Sequence, residues 1–229
     1  NEGRWYLLAL HVLPEYQGQG VGQRLLDLTL STWNKSSDAL CVMAESIQPV
    51  STAMYIRAGM LPWIPVFEWT GSILDSWAIP RRPAENTSFH SVAGSTGSQE
   101  LDEIDRKVIG FQRPMEHRFW LEKRGLELEI ISLHGTPSGY IYFTKEGKLG
   151  PAAATDETLM KPLVLKAVRR SSQKGAHQVH LKIPGHSPVL QSLVTSMRLR
   201  VQVPASVLLA SRPLWPLGKY LISGSDSLL

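Results

Sequence analysis

The chain has 229 residues, 43% of them hydrophobic and 19% charged, with a formal net charge of +4 and a sequence pI near 9.2. That length allows one large or two modest domains, and the balance is that of an ordinary globular protein rather than a disordered or fibrous one. No stretch approaches the ~20 apolar residues of a membrane span, no dense Lys/Arg run points to nucleic acid, and a single cysteine, Cys41, excludes an intramolecular disulfide and fits a reducing, cytoplasmic compartment.

The chain opens on an apolar run, Trp5-Tyr6-Leu7-Leu8-Ala9-Leu10-His11-Val12, which reads as a strand. A Pro14-containing turn follows, then Gln17-Gly18-Gln19-Gly20-Val21-Gly22, then a helical pattern with Val21, Leu25, Leu26 and Leu28 as its apolar positions. Glycines before a helix let backbone N–H groups gather as a nest for an anion, and Gly20 and Gly22 keep side chains away from it. Two nucleotide motifs fit the loop poorly. No Lys follows the last glycine, as a Walker A loop requires, and Gln23 stands where a dinucleotide fingerprint needs its third Gly or Ala, with a turn separating strand from loop. Only Glu45, at the end of the next strand, imitates the ribose-binding acid of that fingerprint. Ala39–Glu45 reads as the next strand and Ser51–Met60 as a short helix with its exit, carrying Tyr55.

The order strand, Pro turn, Gln17-x-x-Gly20-x-Gly22, helix, strand, helix, Tyr55-x-Arg57-x-Gly59-Met60 resembles the GCN5-related N-acetyltransferases, with Gln48 where that family often has Asn. The resemblance implies an α/β fold with a mixed sheet, the acyl-CoA N-acyltransferase fold. It also implies acetyl-CoA as cosubstrate, with no metal. Its pyrophosphate would lie on Gln17, Gly18, Gln19, Gly20, Val21 and Gly22, and its pantetheine arm on the backbone of Leu10 and Val12. Gln48 and Ser51 complete the cofactor set, and Tyr55 stands near the sulfur as proton donor. A model thiol titrates near 8.5 and Tyr near 10, so full proton transfer is uphill by roughly 2 kcal/mol and a hydrogen bond to the departing thiolate is the expected role unless the Tyr55 pKa is lowered. No residue is singled out as general base; His11 and Glu45 are the nearest candidates. In the family the glycine loop lies mid-domain, so the first copy here is expected to be partial.

Further on, Leu61–Trp69 reads as an extended segment that its prolines demote to a strand edge or end. Residues 79–86 read as a linker. They divide 1–78, the C-terminal half of a first acetyltransferase domain with the acetyl-CoA loop, from 87–229. Strands are expected at Phe89–Ala93, Leu126–Leu133, Gly139–Lys145, Leu149–Ala154, His177–Ile183, Ser206–Leu209 and Tyr220–Ile222. Helices are expected from Ser98, with Leu101, Ile104, Val108 and Ile109 inward, and at Glu116–Lys123, Thr158–Ser172 and Ser187–Met197. That order repeats the acetyltransferase pattern, and Asp102, Asp105, Gly110 and Arg113 resemble the early helices of second copies in tandem members. The loop chemistry is not repeated: Ala152-Ala153-Ala154-Thr155-Asp156-Glu157 stands in its place, where Asp156 and Glu157 suit a helix cap. The reading is thus a partial first copy followed by a complete but degenerate, non-catalytic second copy. His177, His180 and His186 lack metal spacing, the tryptophans are expected in cores with Trp63 or Trp69 able to line a cleft, and Asn86-Thr87-Ser88 is an accidental sequon. The implied activity is transfer of an acetyl group to a primary amine of a small-molecule or peptide acceptor, with homodimerisation left open and no nucleic-acid or membrane partner. The competing class is a non-catalytic acetyl-CoA-binding sensor or interaction module.

Overall fold

The computed structural model describes residues 4–33, 38–73, 85–92, 98–214 and 220–221. It is a mixed α/β chain that divides into two compact units. The expected linker 79–86 and Trp77 lie largely outside the described residues.

Unit 1 holds the described residues up to Pro65 together with Pro204–Leu214. Its sheet is β1 (Arg4–Leu7), β2 (Ala39–Glu45) and β10 (Ser206–Ala210). β1 runs parallel to β2, and β10 antiparallel on the other side, with Leu209 opposite Val42. Helix α1 (Val21–Leu30) and helix α2 (Pro49–Arg57) pack on it. The expected strand through Val12 ends at Leu7, and the residues from Leu8 to Leu13 are irregular. The inward face of α1 also differs from expectation. Leu26 is fully buried, Leu30 packs against the core, and Leu25 and Leu28 face outward at 41% and 68% exposure. Residues 22, 26 and 30 share one stripe at four-residue spacing, and Leu25 and Leu28 lie off that stripe.

Unit 2 begins within β3 (Leu61–Ser72), at Val66, and runs to Val203, with 220–221. β3 pairs with β8 (Gln178–Pro184) from Val66 to Ser72, beyond its two prolines. The order β3, β8, β7 (Lys148–Ala154), β6 (Thr136–Phe143), β5 (Glu127–Leu133), β4 (Thr87–Val92) builds its sheet, and β9 (Arg200–Val201) pairs β3. Strand β11 (Tyr220–Leu221) pairs β7. The β5–β6 turn is tighter than expected: His134 and Gly135 both take positive φ, the two-residue turn whose twist suits a hairpin, and Pro137 sits at the register shift beside it. α3 (Ser98–Val108) buries Leu101, Ile104 and Val108 as its periodicity predicts. α4 (Pro114–Arg118) runs into a π-helical turn at Phe119–Lys123. α5 (Met160–Gln173) and α6 (Pro188–Ser196) complete the layer, with Leu163, Val164 and Ala167 fully buried against β6 and β7. Gly139 lets that approach occur, because a Cβ there would lie 3.0 Å from Leu163 Cδ1 and from the Ala153 carbonyl.

Beneath α3 and α4 lies a buried polar cluster. Asp105 Oδ2 accepts from Arg113 Nε at 2.8 Å and pairs with His117 Nε2 at 2.9 Å, and Asp105 Oδ1 accepts from Arg113 Nη2 at 3.1 Å and from Tyr140 OH at 2.6 Å. His117 Nδ1 meets Tyr142 OH at 2.8 Å, and the Arg113 guanidinium lies 5.0 Å from the Trp120 ring centre. One carboxylate and one guanidinium balance in charge. The two ring nitrogens of His117 thus each meet an oxygen, one of Asp105 and one of Tyr142. Burial acts against the Asp105 charge, but Arg113 and the His117 hydrogen bond outweigh it and hold the carboxyl at about 2.

Candidate active site

The candidate residues all fall in unit 1. β1 and β2 are paired from Arg4/Ala39 to Leu7/Val42, after which the chain leaves the strand while β2 continues to Glu45. Among the described residues, Leu10 and the Val12 N–H make no backbone hydrogen bond. The Val12 carbonyl is different: Gln17 Nε2 donates to it at 2.9 Å. That side-chain clamp was not legible in the motif, where Gln17 is read for its backbone.

Pro14–Tyr16 forms a 3-10 turn, and Gly18 and Gly20 then take φ of 75° and 77° before α1 begins. Among the described residues, the N–H groups of Gly18, Gln19, Gly20, Val21, Gly22 and Gln23 find no backbone acceptor, and α1 has no side-chain cap. These donors, at the positive end of a helix dipole, favour an anion. Gln19 Nε2 donates to the Glu15 carbonyl at 2.9 Å and Arg24 Nη2 to the Gln19 carbonyl at 3.3 Å, which ties the loop to its flanks. A Cβ on Gly20 would point into open space, so in the protein itself its glycine is required by the positive φ rather than by crowding.

Gly22 joins the parts. A Cβ there would lie 3.6 Å from Val12 Cγ2 and 3.9 Å from both Leu10 Cδ2 and Met54 Sδ. The structure thus brings the loop, the segment after β1 and α2 to one place, with Met54 as a contact residue that the motif does not mark. Tyr55 follows Met54 and is buried in the apolar cluster with Leu7, Leu26, Leu40 and Val42. α2 closes behind it through Met60 N–H to the Tyr55 carbonyl at 3.1 Å. Burial alone pushes the Tyr55 phenol up from its ordinary value of 10. It stays protonated, a donor rather than a base. Gln48 precedes α2 without capping it through its side chain, and Ser51 Oγ donates to the Gln48 carbonyl at 3.2 Å.

His11 and Glu45 are both exposed, Glu45 at the end of β2 opposite Ser206. Cys41 is a core thiol: burial, only partly opposed by Arg4, pushes it up to about 12. Trp69 belongs to the core of unit 2. In that unit Asp156 Oδ1 accepts from the Thr158 N–H at 2.8 Å, and Glu157 Oε1 accepts from Ser187 at 3.0 Å. Both carboxylates therefore sit at helix starts, where unit 1 offers bare N–H groups. Among the described residues, no cluster of three His, Cys, Asp or Glu is placed to hold a metal, and no helix is long and apolar enough to cross a membrane.

Comparison with known proteins agrees with this geometry. Residues 1–60 match the model of the acetyltransferase (GNAT) family. A Pyrococcus horikoshii protein assigned as an acetyltransferase superposes with a TM-score of 0.71 at 16% identity, covering 98% of this chain and 72% of that one. A GCN5-related N-acetyltransferase from Sphaerobacter thermophilus gives 0.58 at 14% identity, covering 93% and 73%. A tandem GNAT protein from the clavulanic acid biosynthesis pathway gives 0.55 at 13%, covering 92% and 76%. No curated protein sequence matches the chain. Residues 1–60 thus match the acetyltransferase (GNAT) family model, and the chain as a whole has the fold of the GCN5-related N-acetyltransferases.

Proposed function

We propose that this chain is an acyl-CoA-dependent N-acetyltransferase of tandem type, with acetyl-CoA bound by the first copy and the acetyl group passed to a primary amine of a small-molecule or peptide acceptor. The observation that carries the reading is the run of N–H groups from Gly18 to Gln23 that have no backbone acceptor among the described residues, directly after a segment whose Leu10 backbone and Val12 N–H likewise make no backbone hydrogen bond among them. The first set fits a pyrophosphate and the second an extended amide-bearing arm. Acetyl-CoA supplies the thioester. The residues here hold and orient it: Gln17 fixes the Val12 carbonyl, the helix start neutralises the phosphates, and Tyr55 offers a proton to the sulfur as negative charge develops there. The second copy has carboxylates capping at the corresponding place, which favours a structural or acceptor-shaping role.

Calorimetry with acetyl-CoA, followed by an amine screen, tests the reading. Gly20→Val forces a β-branched residue into positive φ at the start of α1, and it should weaken acetyl-CoA by about tenfold or more, about 1.4 kcal/mol. Equal affinity in the variant removes the loop from the binding site. Tight binding with no amine acetylated favours the sensor reading.

A further inference from the structure

Both units contain a parallel strand pair that comes apart. In unit 1, β1 and β2 separate after Leu7/Val42, and the chain beyond Leu7 takes no strand partner. In unit 2, β7 and β8 are paired only at Lys148/His180 and Leu149/Leu181, although β7 runs on to Ala154. One edge of β7 stays paired with β6 as far as Gly139/Ala154. The edge freed by the departure of β8 is not left open, because Tyr220 and Leu221 pair antiparallel with Ala153 and Ala152.

We infer that residues 220–221 are an internal occupant of a second slot. Along β7 they take backbone positions equivalent to those that unit 1 offers to an extended amide arm, so the chain takes up one acyl-CoA and not two. The equivalence of the slots rests on the acyl-CoA reading of unit 1; the self-occupation of unit 2 does not. A strand edge recognises any extended chain that presents amide N–H and C=O groups in turn, and a pantetheine arm and a peptide strand both do. Ala152 and Ala153 are fully buried and small, which suits close approach of such a chain. Asp156 and Glu157 beyond β7 are engaged as acceptors of Thr158 and Ser187, so this slot presents carboxylates where an anion would sit. Its ligand class is therefore an uncharged extended amide chain, here supplied by the protein itself.

Hydrogen exchange on the whole chain tests this. Replacing both Tyr220→Pro and Leu221→Pro deletes both N–H groups, so whichever one faces β7 is lost. Exchange across 150–154 is expected to quicken by about tenfold or more while α5 keeps its protection. Excess pantetheine, the phosphate-free arm, should then restore protection at 150–154 in the variant and have no effect there in the parent. In the parent, acetyl-CoA should protect 10–23 and leave 150–154 unchanged. Should α5 also lose protection, the single replacements give the same comparison with less disturbance, since one of the two removes the ladder donor. Unchanged exchange at 150–154 in the variants overturns the inference, as does pantetheine protection already present in the parent or absent from the variant. Failure of acetyl-CoA to protect 10–23, with the other results as expected, removes the assignment of unit 1 and leaves the self-occupied slot standing.

Discussion

Tyr55→Phe is expected to lower turnover by about 10²-fold, the low end for general acid catalysis, while leaving acetyl-CoA affinity nearly unchanged. The substitution keeps the ring that packs with Leu7, Leu26, Leu40 and Val42 and removes only the hydroxyl, so the fold of unit 1 is preserved. With its phenol pushed above 10 by burial, Tyr55 is an even poorer source of a fully transferred proton than an exposed tyrosine. In the proposed role it contributes a hydrogen bond that strengthens as the thiolate forms, and such a bond acts on the transition state and not on the bound ground state. Burial also keeps Tyr55 protonated up to about pH 10, so its ionisation should cause no loss of rate below that. Steady-state kinetics with any accepted amine separates the cases. A near-neutral variant means that Tyr55 only packs. A fall in affinity at constant turnover means that it positions the cofactor.

Asp105→Asn should destabilise unit 2 by roughly 3–5 kcal/mol, measured by urea unfolding, because it removes a buried charge that the Arg113 guanidinium pairs with. The Asn amide also brings two donors to a place where Arg113, His117 and Tyr140 all point donors at Asp105. Replacing both partners, Asp105→Leu with Arg113→Met, should cost much less than the single change. A loss under about 1 kcal/mol for Asp105→Asn would show that the cluster is no part of what holds the unit together. The same carboxyl couples stability to acid. Its folded value near 2 lies below the ordinary unfolded value of about 3.9, so its contribution is complete above about pH 4 and is lost as pH falls through about 2. That contribution, roughly 2–3 kcal/mol, should vanish from the acid limb of the Asp105→Asn stability profile.

Much of the local architecture was readable in the residues. The strand Ala39–Glu45, the apolar stripe Leu101–Ile104–Val108, the alternation Val179–Leu181–Ile183 and the capping role of Asp156 each follow from a period or a cap that acts over a few residues. The glycine loop was legible for the same reason: its chemistry lies in successive backbone groups. Where the apolar run Trp5–Val12 would leave its strand was not, because an apolar run carries no mark of where its partner diverges. Nor was the clamp of Gln17 on Val12, which depends on the turn between them.

The sequence by itself marked most of the helices and strands, and a glycine loop between strand and helix at Gln17–Gly22 that Ala152–Glu157 does not repeat. The tertiary structure alone decided which of two apolar stripes on α1 is buried, since Leu26 and Leu25 are equally apolar and only the packing of the helix on its sheet distinguishes their faces. It alone assigned Ser206–Ala210 to the sheet of unit 1, opposite β2, and Val66–Ser72 to that of unit 2. Strand partners lie far apart in the chain, and an alternating segment reads the same whichever sheet receives it; the choice is made by the backbone edge left open and the apolar face left uncovered when the rest has packed.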